Sequence, residues 1–153
     1  MRKLLAVWAA KLAGVAGRLI GKKSSSSPGV LALKICPDLI QQLRKNIRKG
    51  IIVTCGTNGK TTTNNLLNTV LQKRGYTTVC NRLGANMLGG IATAFTDACN
   101  LFGTFSADYA VLEIDEASAG VCPSYAKLYD YYQPLSGSVR PLRRNRHHHG
   151  SSA

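Results

Sequence analysis

Three short apolar runs and the helical stretches between them organise this chain. Ile51, Ile52 and Val53 form a β-branched run of buried-strand length, and Thr77 to Cys80 and Asp108 to Ile114 (DYAVLEI) read the same way. Between the first two, Leu66, Leu67, Val70 and Leu71 recur at helical spacing and predict a helix over Thr61 to Arg74. Gly75 stands just past its end, where a helix closes most easily. Between the second and third runs, Asn81 to Phe95 (NRLGANMLGGIATAF) reads as a glycine-rich loop running into a helix of small residues. Strands alternating with helices predict an α/β arrangement around a parallel sheet.

Upstream, Leu5, Trp8, Leu12, Val15 and Leu19 share one helical face while Arg2, Lys3, Lys11, Arg18 and Lys22 lie largely elsewhere, which predicts a basic amphipathic helix. Two placements follow: packed on the domain through its many short side chains, or lying on an anionic membrane surface with Trp8 at the interface. Lys11 interrupts the apolar run, which argues against a signal peptide, and no stretch reaches the roughly 18 apolar residues of a spanning helix. Gly21 to Gly29 (GKKSSSSPG) reads as a linker. Pro37 to Lys49 then predicts a short helix, with Asp38 near its start and Arg44, Lys45, Arg48 and Lys49 near its end, as the macrodipole favours.

With 153 residues, 44% of them hydrophobic, the chain has enough apolar surface for one modest core. The net charge of +13 is uneven: residues 1–50 hold 11 basic and 1 acidic side chain, residues 51–118 hold 4 and 5, and residues 119–153 hold 5 and 1. A nucleic-acid binder needs its basic stripe across the folded domain, so a nearly neutral middle disfavours that class. The basic leading segment suits an anionic surface better. The five cysteines, Cys36, Cys55, Cys80, Cys99 and Cys122, show neither a C-x-x-C pair nor zinc spacing and read as small apolar residues in a reducing cytosol.

The chemistry concentrates where the first strand stops. Gly56, Thr57, Asn58, Gly59, Lys60, Thr61 and Thr62 make a glycine-containing turn that runs into a helix. Amides of such a turn converge on an anion, and the helix adds the positive end of its dipole. Lys60 is placed to reach nucleotide β/γ-phosphates and the Thr61 hydroxyl to hold Mg²⁺. The general phosphate-loop pattern is broken, because Thr54 stands where its first glycine belongs; the strand-turn-helix setting is what supports ATP as ligand. At the end of the third strand lie Glu113, Asp115 and Glu116. Ligands of open α/β sheets bind beyond the carboxyl ends of the strands, so Glu113 is the first choice for the metal. Asp115 and Glu116 serve equally well as caps of a following helix.

The GTNGKTT turn, the NRLGANMLGGIATAF loop and the VLEIDEAS strand end, in that order, resemble the Mur ligase superfamily. Together with the MRKLLAVWAAKLAG opening and the SSSSPG linker, they resemble more narrowly the ligase subunits of lipid II isoglutaminyl synthases, over residues 1 to about 118. The resemblance implies a P-loop NTPase-like parallel sheet with flanking helices, here incomplete. The implied organisation is basic N-terminal helices and a Ser-rich linker over residues 1–50, the ATP-binding central domain over residues 51–118 and an irregular tail over residues 119–153. It also implies that ATP phosphorylates the α-carboxyl of D-glutamate in the lipid II stem peptide. Ammonia from a partner glutamine amidotransferase subunit would then attack the acyl phosphate, with Thr61 and Glu113 on Mg²⁺. The implied setting is the cytoplasm, peripheral at the inner face of the plasma membrane. The family's zinc ribbon and C-terminal ligase domain are not found in the chain, so the expectation is an inactive, marginally stable product. A folylpolyglutamate-type or other Mur-type ligase, and a non-catalytic nucleotide- or partner-binding module, are the alternatives.

After Ser118 the resemblance stops and the apolar periodicity stops with it. The family continues with a run of the type TNLFRDQ-x-DRYGE. Codons that encode the observed residues 132–150, read one base later, spell TNLFRDQFDRYGEIDTTM. Residues from somewhere between Ser118 and Tyr132 onward are therefore expected to be out of frame. His147, His148 and His149, and the Arg140, Arg143, Arg144 and Arg146 cluster, are on this reading products of shifted codons rather than a metal tract or a phosphate patch. Resequencing the gene checks this: the family segment should appear in the neighbouring frame, and its absence there ends the idea.

Overall fold

Three parallel strands carry the fold: β1 (Ile47–Thr54), β2 (Thr78–Cys80) and β3 (Ala107–Glu113). A computed structural model describes them within residues 1–19, 26–55, 58–81 and 87–114. The last strand in the chain is the middle one in the sheet, giving the order β1-β3-β2. Ile52 and Cys80 both lie opposite Val111, and Thr54 lies opposite Glu113. A strand buried on both faces needs apolar residues throughout, and Ala110, Val111 and Leu112 are fully buried.

Five helices complete the described fold: α1 (Arg2–Leu19), α2 (Ser27–Ile35), α3 (Leu39–Arg44), α4 (Lys60–Lys73) and α5 (Leu88–Ala98). The step from β1 to β2 and the return from β2 to β3 run in opposite directions across the sheet. Right-handed crossovers then place α4 and α5 on opposite faces. The two faces differ in chemistry. On the α5 side, Phe95 and Ile91 meet Leu39 and Leu43 of α3, Val7 of α1, and Leu112 and Ile114 in one apolar core. On the α4 side the buried residues of the helix are Asn64 and Asn68. The predicted apolar stripe of α4 is thus only half used: Leu67 and Leu71 are half-buried, while Leu66 and Val70 face solvent.

Gly75 closes α4 as the sequence predicts. Its amide donates to Gln72 O (2.9 Å) and the Tyr76 amide to Leu71 O (3.1 Å), which satisfies two of the helix's last carbonyls. Several boundaries differ from expectation, most by one or two residues and three by more. β1 begins at Ile47 rather than at Ile51, and α3 ends at Arg44 rather than at Lys49, because Ile47 buries itself opposite Ala107 and draws the chain into the sheet. The ladder shifts register between Ile47 and Gly50, which leaves Arg48 to pair with Asp108 (3.2 Å) and Lys49 to sit 4.4 Å from the Tyr76 ring centre. The end of the expected linker is helical too: Ser27, Pro28 and Gly29 form the first turn of α2, where a missing proline amide costs nothing. Residues 20–25, 82–86 and 115–153, with the tail, Cys122 and both Asp115 and Glu116, lie outside the described residues.

Gly29 is in that turn because α5 leaves room for nothing larger. A Cβ there would overlap Gly89 O and come within 2.6 Å of the Thr93 amide, and one on Gly89 would lie 2.6 Å from Val30 Cγ2. The close approach lets the Gly29 amide donate to Thr93 Oγ1 at 2.9 Å, so an amide of the first turn of α2 finds its partner on α5. Of the cysteines, Cys36 and Cys99 are buried and Cys55 is exposed. Burial pushes the Cys99 thiol up to about 11, against the opposing pull of Lys11 and Lys3.

At the opposite end of the strands from Glu113, Asp108 Oδ2 accepts from the Thr77 amide (3.0 Å) and hydroxyl (2.9 Å), and the Asp108 amide donates back to Thr77 Oγ1 (3.0 Å). These bonds, the backbone one first, hold the Asp108 carboxyl below its ordinary value, and Arg48 and Lys49 add to the effect.

Two predictions follow from this packing. Gly29→Ala should destabilise the fold by about 1–3 kcal/mol or more in denaturant titration, as overpacked contacts do, whereas Gly50→Ala, whose Cβ meets Tyr109 only at 3.9 Å, should be far milder. Asp108→Asn should weaken the fold most above pH 3.8, where the unfolded carboxyl is ionised, and the gap to the parent should close as pH falls through the lowered folded value. A gap that stayed constant into that acidic range would show that the charge of Asp108 contributes nothing.

Candidate functional site

The carboxyl end of the sheet is where β1, β3 and the start of α4 meet. Gly59 adopts φ +76°, a left-handed conformation that suits glycine, and from it α4 sets off without a side-chain cap. The positive end of the helix dipole therefore faces the turn. Asn58, Gly59, Thr61 and Thr62 are exposed and Lys60 is half-buried; Gly56 and Thr57 lie outside the described residues.

The sheet order brings Glu113 beside this first helical turn. Thr61 Oγ1 donates to Glu113 Oε2 at 2.9 Å across 52 residues of sequence. The carboxylate is only 2% exposed, so it lies behind the hydroxyl rather than in solvent. Its backbone is held by Asn81, whose side-chain amide accepts from the Glu113 amide and donates to Glu113 O, both at 2.8 Å. Asn81 thus continues the β2–β3 ladder with a side chain after β2 has ended. On the other edge, Thr54 Oγ1 shares its hydrogen between Asn64 Oδ1 (3.1 Å) and Leu112 O (3.3 Å), and Asn64 Nδ2 donates to Cys80 Sγ (3.2 Å). Four residues on, Asn68 Oδ1 accepts from Thr78 Oγ1 at 2.7 Å.

The seam Thr54–Asn64–Cys80 ties α4 to both outer strands, so the helix start and the β3 end are held against one frame. With its proton directed at Glu113, the Thr61 hydroxyl keeps oxygen lone pairs for a cation on the turn side. Hydroxyl and carboxylate oxygens are hard donors of the kind Mg²⁺ prefers. Among the described residues no group of three His, Cys, Asp or Glu gathers to hold a metal. Thr61 and Glu113 are the described residues that could offer such oxygens to a cation here.

Sequence reading named Lys60, Thr61 and Glu113, of which the structure joins Thr61 and Glu113, but assigned nothing to Asn64, Asn68 or the side chain of Asn81. Two asparagines four apart, on the helix face that Leu67 and Leu71 also occupy, are the signal that was there to use.

No protein-family model matches the chain. Over 118 residues, 77% of this chain and 26% of the relative, it is 39% identical to the lipid II isoglutaminyl synthase (glutamine-hydrolyzing) subunit MurT of Staphylococcus aureus strain COL. The same identity and coverage hold for the subunit from strain N315. To the MurT subunit of Streptococcus pneumoniae strain ATCC BAA-255 / R6 it is 40% identical over 112 residues, 73% of this chain and 23% of that protein. The match thus spans about a quarter of the length of these curated relatives. With the parallel sheet in place, this similarity over about three quarters of the chain identifies it with a part of the MurT subunits of lipid II isoglutaminyl synthase.

Proposed function

We propose that residues 56–62 and Glu113 form the ATP-handling corner of a lipid II isoglutaminyl synthase ligase subunit. The hydrogen bond from Thr61 to Glu113 carries the reading, because it joins a hydroxyl on an uncapped helix start to a buried strand-end acid. Nothing in core packing calls for a carboxylate there.

In this reading the turn amides and the first turn of α4 receive the phosphates, and Lys60 adds its charge at the β/γ end. Thr61 would hold Mg²⁺, with Glu113 beside it orienting the Thr61 hydroxyl, and the ion would supply charge neutralisation at the phosphates. The D-glutamate α-carboxylate of the lipid II stem peptide attacks the γ-phosphorus, ADP leaves, and the acyl phosphate is opened by ammonia from a glutamine amidotransferase subunit. Isoglutamine forms and phosphate departs. The protein's part is positioning and charge compensation rather than covalent chemistry. The setting is cytoplasmic, with lipid II presented at the membrane. These 153 residues align with about a quarter of the relatives' length, and nucleotide binding is the part of this reading that they can be asked to perform.

Calorimetric titration with ATP and Mg²⁺ tests the corner. Lys60→Ala should weaken nucleotide binding about ten- to a hundredfold, the worth of a charged hydrogen bond. Thr61→Ala should lose the dependence on Mg²⁺ rather than all binding. Equal affinities across parent and both variants would overturn the assignment.

A further inference from the structure

The helix α1 buries its small residues and exposes its large ones. Ala6, Val7 and Ala10 are at most 2% exposed, whereas Leu5, Trp8, Leu12, Val15 and Leu19 are 50% to 84% exposed. Beside this stripe a turn projects Leu101 and Phe102, 70% and 82% exposed. The turn is built, not loose. Asn100 Oδ1 accepts from the Phe102 amide (3.0 Å) and from the Thr104 amide and hydroxyl (3.1 Å each), and Trp8 Nε1 donates to Leu101 O at 2.8 Å. Two elements far apart in sequence therefore make one continuous apolar surface, locked by the indole.

Charge borders the same surface. On the helix, Lys11 and Arg18 flank one edge of the stripe and Arg2 the other. Lys3 and Lys11 come close enough to Cys99, at the foot of the turn, to act on its thiol. No acid precedes Asp38, and Asp97 is the one acidic side chain of α5. An apolar stripe with cationic borders and an amphipathic tryptophan is the pattern of a helix lying in a bilayer interface. No described helix is long and apolar enough to cross a membrane. A second copy of the chain would instead bring these basic borders against one another without acids between them.

We propose that the outer face of α1, with Leu101 and Phe102, seats the protein on an anionic phospholipid bilayer. The helix lies in the interface plane, Trp8, Leu12 and Phe102 enter the headgroup–acyl boundary, and Lys11 and Arg18 reach back to lipid phosphates. No residue of this surface belongs to the nucleotide corner, so either assignment can fail without the other.

Trp8 is the only tryptophan and reports on its own burial. With the 153-residue chain, its emission should shift to the blue on adding vesicles of phosphatidylcholine mixed with phosphatidylglycerol. Vesicles of phosphatidylcholine alone should leave it unchanged, and added salt should weaken the shift. The double variant Leu101→Ser/Phe102→Ser, at positions outside the core, should lower partitioning in vesicle sedimentation at least about tenfold. Lys11→Glu with Arg18→Glu should remove the preference for anionic lipid. Unchanged emission with anionic vesicles, equal binding to neutral ones, or a dimer in analytical ultracentrifugation that the Leu101/Phe102 variant dissolves would each overturn the proposal.

Discussion

The placement of β3 between β1 and β2 is the constraint on which this structure depends. β3 arrives last among the described strands, and it supplies both neighbours with their ladder. Without it, β1 and β2 have no partner in the sheet. Its contacts join residues some 30 to 60 positions apart, so their loop-closure cost is met only when the whole set forms together. The same insertion sets Glu113 beside Thr61. Fold and site are thus one event: the pairing that makes the sheet also assembles the corner.

The two faces of the sheet solve different problems. On the α5 face, Phe95, Ile91, Leu39 and Leu112 provide non-directional burial that tolerates small shifts of the helices. On the α4 face, Asn64 and Asn68 bind Thr54, Cys80 and Thr78 through directional bonds. A displacement of α4 by even half a turn would leave several of these buried groups without partners, at a cost of about 1–3 kcal/mol each. Directionality is what the proposed phosphate-binding start of α4 needs, because its position relative to β3 decides whether Thr61 and Glu113 meet. Weak apolar anchorage and strong polar registration on one helix are consistent with that requirement.

How much of this was legible depends on how local each cause is. Ile51–Val53 and Asp108–Ile114 announce themselves as strands because their own side chains are apolar. Arg48, Lys49 and Gly50 do not, and they become strand only because β3 pairs with them. Gly29 looks like part of a linker until α5, some sixty residues later, is seen to need its missing side chain. In the candidate site, Thr61 and Glu113 could be singled out by residue type beside a turn and a strand end, and the structure brings the two together. The clamps could not: what Asn81 does is set by Glu113, 32 residues on, and what Asn64 does by Thr54 and Cys80 on either side of its helix.

The first helix is the converse case, because its many short side chains already pointed to close packing on the domain. Its sequence displays two faces, one of alanine and glycine and one of leucine, valine and tryptophan, and size alone would send the larger face inward. The core does the reverse. α1 packs on α2 with Ala6, Val7 and Ala10 buried and Gly14 near Pro28, and such short side chains let helices approach where leucines would hold them apart. The large residues remain outside because the inner position is already determined by contact distance rather than by hydrophobicity. Single exposed leucines are ordinary on protein surfaces, but five large apolar side chains in a stripe, with exposed Leu101 and Phe102 tied beside it through Trp8, form a patch. The lysines and arginines along its edges are what the proposed seat on an anionic bilayer draws on.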